Sequence, residues 1–220
     1  LPQKTLVLFQ RGQVAEASAL VDDFLPRSRV ARDPQALAPA LSAAAAVAAE
    51  KGDLTAAVAL VKEYETAIGE VPSPQASAHL PELVRIALAG GDHDLGRRLL
   101  ELSPFELGRP GHAVVAAKAV LAEGNGETEA ALALHREAAE RWAGYGYVLG
   151  EASSLYGAGR CLLELGRPFD STSPLTAALE GSTPLRINAL VALELHPVVV
   201  LGAGAEVPLE DWSGNEEARE

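Results

Sequence analysis

Few residues in this chain have the types and spacing that chemistry needs, and each candidate also has a structural use. The run from His196 to Glu206, HPVVVLGAGAE, has the outline of a strand and glycine turn able to cradle a pyrophosphate. Val207 stands where a third glycine belongs, Pro208 spoils the helix that should follow, and too little chain remains for an acidic ribose-binding residue. That run therefore reads as a terminal extension. Asp92, His93 and Asp94 offer metal-binding atoms, but a lone turn without supporting ligands is expected to cap the next helix. Cys161 sits beside Leu162 in a helical pattern with no paired base in the sequence, so it is expected to be a small buried hydrophobe. His79, His112 and His135 are single residues on helices or at helix starts, where hydrogen-bonded structural roles are expected. Trp142, Tyr145 and Tyr147 cluster at a junction of two helical units, as packing between units would require. No acid, base, nucleophile or metal set converges, so the expectation is no catalytic residue, no metal site, no cofactor and no enzyme activity in this chain.

The elements that carry these residues read as paired helices. Between Gly126 and Gly166, Ala131, Leu134, Ala138 and Trp142 fall on one helical stripe, and Ala152, Leu155, Gly159 and Leu162 on another. The same unit recurs along the chain. Turn glycines Gly12, Gly52, Gly91, Gly126 and Gly166 follow apolar helical patterns at spacings of 40, 39, 35 and 40 residues. Five residues after them stand Ala17, Ala57, Gly96, Ala131 and Ser171, and seven before them Thr5, Ala45, Val84, Ala119 and Gly159. Small residues on both sides of a hairpin let two backbones approach closely, and a glycine can end the first helix in the left-handed conformation.

Asp33-Pro34, Ser73-Pro74, Ser173-Pro174 and Thr183-Pro184 each set a capping side chain before a proline at the first helical position. The pattern predicts helix pairs at 1–11 and 13–28, 34–51 and 54–69, 74–90 and 94–102, 110–123 and 127–143, and 147–165 and 174–180, with a last helix near 184–195. Pro81 should kink the first helix of the third pair or delay its start. The fold class expected is all-α, a solenoid of about five helix pairs over residues 1–195, followed by an acidic extension over 196–220.

Composition narrows the partners. A net charge of −12 and a pI near 4.9 disfavour nucleic acid and anionic lipid. One cysteine forms no internal disulfide, and no Cys or His cluster has zinc spacing, so a cytoplasmic protein is expected. The longest small-apolar run, Ala43 to Ala49, is far shorter than the roughly 18 residues a membrane span needs. The chain lacks methionine and begins at Leu1, so it is expected to be a piece of a longer protein; Arg outnumbers Lys fourteen to four, a bias of GC-rich bacterial genomes.

With small residues at these offsets around glycine turns, residues 1 to 180 resemble degenerate tetratricopeptide repeats, and the 39 to 40 residue period resembles the divergent repeats of large bacterial signalling ATPases. The segments ALALHREAAERW and LYGAGRCLLELGRP are similar to the C-terminal helical regions of actinobacterial adenylate/guanylate cyclase-type proteins and of LuxR-type regulators with a central ATPase. The chain departs from the pattern in three ways: the first-helix aromatic is largely missing, Pro81 lies mid-helix, and the fifth hairpin carries FDSTSP. The resemblance implies a regulatory module that binds a protein or peptide, or another domain of its own parent chain. The acidic C-terminus favours the cyclase type over the LuxR type. A small-ligand sensor is the alternative from another class. In the repeat template, groove-facing side chains lie 10, 6 and 3 residues before the turn glycine. This selects Tyr156, Arg160 and Leu163 from the fifth pair and Pro81, Arg85 and Leu88 from the third. Arg85 and Arg160, with Tyr156 beside them, are the candidate binding residues for a partner carboxylate; the competing expectation pairs them with glutamates such as Glu82 or Glu164.

Overall fold

The computed structural model describes residues 2–31, 33–69, 74–103 and 105–182, and among these all regular structure is helical. The helices are α1 (Pro2–Gln10), α2 (Val14–Ala31), α3 (Pro34–Glu50), α4 (Leu54–Gly69), α5 (Pro74–Ser77), α6 (Leu80–Ala89), α7 (His93–Glu101), α8 (Gly108–Gly124), α9 (Thr128–Tyr145), α10 (Val148–Glu164) and α11 (Pro168–Ser182). No described helix is long and apolar enough to cross a membrane.

Five hairpins share one turn chemistry. Gly12, Gly52, Gly91, Gly126 and Gly166 all adopt positive φ, between 69° and 79°. After each, the next residue's N–H reaches back to a carbonyl five positions earlier: Gln13 to Leu8, Asp53 to Ala48, Asp92 to Ala87, Glu127 to Ala122 and Arg167 to Leu162. This closure satisfies carbonyls that the helix end would otherwise strand, and it requires the left-handed residue that glycine supplies without strain. The small residues flanking each turn are buried in every hairpin, from Thr5 and Ala17 to Gly159 and Ser171.

Helices pack in a repeating order. Each hairpin pairs its own two helices, α1 with α2, α3 with α4, α6 with α7, α8 with α9 and α10 with α11. Each first helix also touches the next first helix, in the series α1, α3, α6, α8, α10, and each second helix packs on the following first helix. The largest apolar cluster runs from Phe24 through Leu41, Val61, Leu83 and Leu99 to Val120, so no hairpin owns its core. Each such buried side chain contributes about 1.5–3 kcal/mol. Ion pairs link successive second helices: Arg29 to Glu63 in two bonds of 2.8 and 2.6 Å, and Arg98 to Glu65 in two of 2.6 and 3.1 Å.

Asp33 caps α3 as its sequence predicts, accepting from Gln35 N–H at 3.0 Å with Pro34 at the first helical position. Pro81 splits the third pair's first helix: α5 ends at Ser77, and α6 restarts at Leu80 with the proline in its first turn, where no N–H is needed. One expectation needs correcting. The last hairpin's second helix starts at Pro168, six residues before the predicted 174, and carries Pro174 inside it. Six residues from Pro168 bring Ser171 under α10 and Leu175 against Gly159, a packing gain that outweighs the Ser173-Pro174 start signal. The helix expected near 184–195 and the extension 196–220, including His196 to Glu206, lie outside the described residues.

Candidate binding groove

A cavity of about 340 Å³ runs along the first helices of all five hairpins. Its walls follow the repeat. Ten and six residues before the turn glycine stand Ser42 and Ala46, Pro81 and Arg85, and Ala116 and Val120, all of which line it. In the first hairpin the lining residues are those at six and three, Leu6 and Phe9. Helix α10 departs from this register: it contributes Leu149, Gly150, Ser153 and Ser154 from its N-terminal half. Among the described residues, the second helices contribute His135 and Trp142, both from α9.

The candidate residues are therefore divided. Arg85 lines the groove and is paired with Glu82 one turn back, both side chains about two-fifths exposed. Arg160 and Tyr156 are not among the lining residues. The Arg160 guanidinium lies 4.8 Å from the Tyr156 ring centroid and donates to Glu123 Oε2 at 2.9 Å, while Glu164 accepts from Thr128 at 3.3 Å instead. A longer-range partner won because α8 and α10 touch directly, which no spacing within α10 foretells. Leu88 packs on the core beside Gly124.

Glu123 is the hub of this region. Its Oε2 accepts from Arg160 and, at 3.1 Å, from His135 Nε2, which is 3% exposed. Burial works to raise the Glu123 carboxyl. The His135 hydrogen bond and the charges of Arg160, His135 and Arg85 outweigh it and hold the group below the usual carboxylate range. The ring of His135 occupies the space a side chain at position 157 would need: a Cβ on Gly157 would lie 2.2 Å from His135 Cε1. His135 Nδ1 and Arg160 Nε are buried without a hydrogen-bond partner. Cys161 is fully buried in the same region, and burial together with Glu123 and Glu164 pushes its thiol up to about 12, so it is a protonated hydrophobe rather than an activated nucleophile.

Glu123, His135 and Cys161 place one ligand atom each within 4.8 Å of one another. They stand 12 and 26 residues apart in sequence, too far for any spacing rule to join them. Glu123 does carry one legible signal, since it falls on the third groove offset before Gly126.

Other singled-out residues have local duties. Asp92 caps α7 by accepting from Leu95 N–H at 3.0 Å and pairs with Lys62 at 3.0 Å, and His93 Nδ1 lies 3.1 Å from Asn125 Oδ1. Trp142 is buried between Tyr147 and His112, with ring centroids 5.1 and 5.3 Å away in edge-on geometry, and Tyr145 closes the cluster at 6.2 Å. Arg109 sits over Tyr147 at 5.4 Å, giving this end of the groove an aromatic floor under a cation. His79 opens α6 at the groove wall, where burial and then the charge of Arg109 push its imidazole down to about 4. Scans of protein-family models and of curated proteins found no match to this chain.

Proposed function

We propose that this chain is a tetratricopeptide-like helical solenoid that holds an extended segment of a partner protein, or of its own parent chain, in the groove along its first helices. The observation that supports this most is the repeat-phased lining: the template offsets pick out wall residues in four of five hairpins. A groove built this way is continuous across units and lengthens with their number, which suits a peptide better than a compact metabolite. Arg85, beside the apolar wall of Ala116 and Val120, is the groove's cation for a partner carboxylate, and Arg109 over Tyr147 adds a second. Arg160 and Tyr156 act one layer behind, holding Glu123 in place. On this reading the module is regulatory and non-catalytic, and its sequence resemblance to C-terminal regions of cyclase-type signalling ATPases makes other domains of such a parent the first partners to try.

The test is a peptide array of acidic and apolar decamers, with the best binders measured by calorimetry against three variants. Arg85→Ala and Ser153→Arg, the second filling the groove from an exposed position, should each weaken binding at least about tenfold, as loss of a charged contact or of access does. Arg136→Ala, exposed on α9 away from the groove, should leave it unchanged. Equal affinities for all three would sink the groove assignment.

A further inference from the structure

We propose that Glu123, His135 and Cys161 form a binding site for a divalent transition-metal ion of the zinc class. The site stands apart from the peptide reading and does not need it. One carboxylate, one imidazole and one thiol converge from three helices, α8, α9 and α10, with their ligand atoms mutually within 4.8 Å. Tetrahedral zinc, with bonds of about 2.0 to 2.3 Å, separates its ligands by about 3.3 to 3.8 Å, so the widest gap must close by roughly one ångström.

The second observation is the imidazole itself. Its Nε2 stands 3.1 Å from Glu123 Oε2 on a side chain 3% exposed, close to the ligand–ligand edge of a zinc tetrahedron, so with the ring proton on Nδ1 the Nε2 lone pair and the carboxylate face one point. The fold also gives up a side chain at Gly157 to seat the ring.

The donor set selects the ion. Mixed sulfur, nitrogen and oxygen ligands suit Zn²⁺ or Co²⁺ and exclude Ca²⁺ and Mg²⁺, which take oxygen shells. Charges balance as well: on binding, Cys161 releases its thiol proton to solvent, and thiolate plus carboxylate neutralise the dication. Arg160, 2.9 Å from Glu123 Oε2, then serves as the outer hydrogen-bond donor that ligating carboxylates commonly have.

The experiment is titration of the chelator-stripped chain with cobalt(II) chloride, followed by displacement with zinc chloride. Expected are one Co²⁺ per chain, thiolate-to-cobalt charge-transfer absorption in the near-ultraviolet, visible bands of four-coordinate intensity, and a rise in Tm on adding Zn²⁺. Cys161→Ser should abolish the charge-transfer band, and Glu123→Gln should weaken binding by about tenfold or more. His93→Ala, exposed at the start of α7, should leave both unchanged. Circular dichroism establishes that each variant is folded, and if Cys161→Ser is not, Glu123→Gln carries the decision. Absence of the charge-transfer band in the wild-type chain, or metal binding that Glu123→Gln leaves intact, overturns the proposal.

Discussion

Replacing Gly159 tests how closely α10 and α11 approach. A Cβ built there would lie 2.3 Å from Leu175 Cδ2 and 2.5 Å from its Cγ, where ordinary contact needs at least about 3.4 Å. Leu175 is 1% exposed, so it has no solvent space into which to swing. Two effects oppose each other in Gly159→Ala: an alanine in a helix interior gains about 0.5–1 kcal/mol of propensity, whereas forcing a packed leucine aside by more than an ångström costs about 1–3 kcal/mol. Overpacking wins, so Gly159→Ala should be net destabilising and Gly159→Leu more so, by about 2–3 kcal/mol. For a domain of this size each kcal/mol lowers Tm by roughly 2–4 °C. Calorimetric melting of the two variants, and of Gly159→Ala combined with Leu175→Ala, separates the terms. In the double variant the clash is gone, so adding Gly159→Ala to Leu175→Ala should stabilise by the propensity term, a sign reversal between backgrounds. If Gly159→Ala raises Tm in the wild-type background, the close approach is wrong.

Two further outcomes follow from buried polar groups. Tyr64 is fully buried and donates to Ala76 carbonyl at 2.6 Å, so Tyr64→Phe strands that oxygen and should lower the unfolding free energy by about 1–2 kcal/mol, read by urea denaturation. The His79 imidazole, pushed down to about 4 by burial and by Arg109, stays neutral in the folded chain where the unfolded chain already binds a proton. Stability from this group is complete above about pH 6.5 and is lost as pH falls from there toward 4. The full shift would correspond to roughly 3 kcal/mol, which the ring's partial exposure reduces to about 1–2 kcal/mol. His79→Gln should flatten that part of the stability profile; an unchanged slope between pH 6.5 and 4 would contradict the assignment.

The sequence by itself determined the hairpins. Helix periodicity, the five turn glycines and the small residues at fixed offsets are local signals, because a positive φ and a close backbone approach exclude most side chains whatever the rest of the chain does. Asp33 before Pro34 and the interruption at Pro81 were legible for the same reason. Of the residues the offsets select, Arg85 lines the cavity because α6 keeps the repeat's register, and Tyr156 and Arg160 do not because α10 faces it with its N-terminal half. What only the tertiary structure decided were a helix start set against its local signal and meetings between distant residues. Ser173 before Pro174 is the capped start, yet packing of Ser171 and Leu175 on α10 goes with a start at Pro168. Glu123 finds Arg160 from 37 residues away and His135 from 12, with Cys161 brought alongside, because three helices turn particular faces toward one another. A rotation of one residue step, about 100° around a helix, would scatter that cluster while leaving every hairpin signal in place.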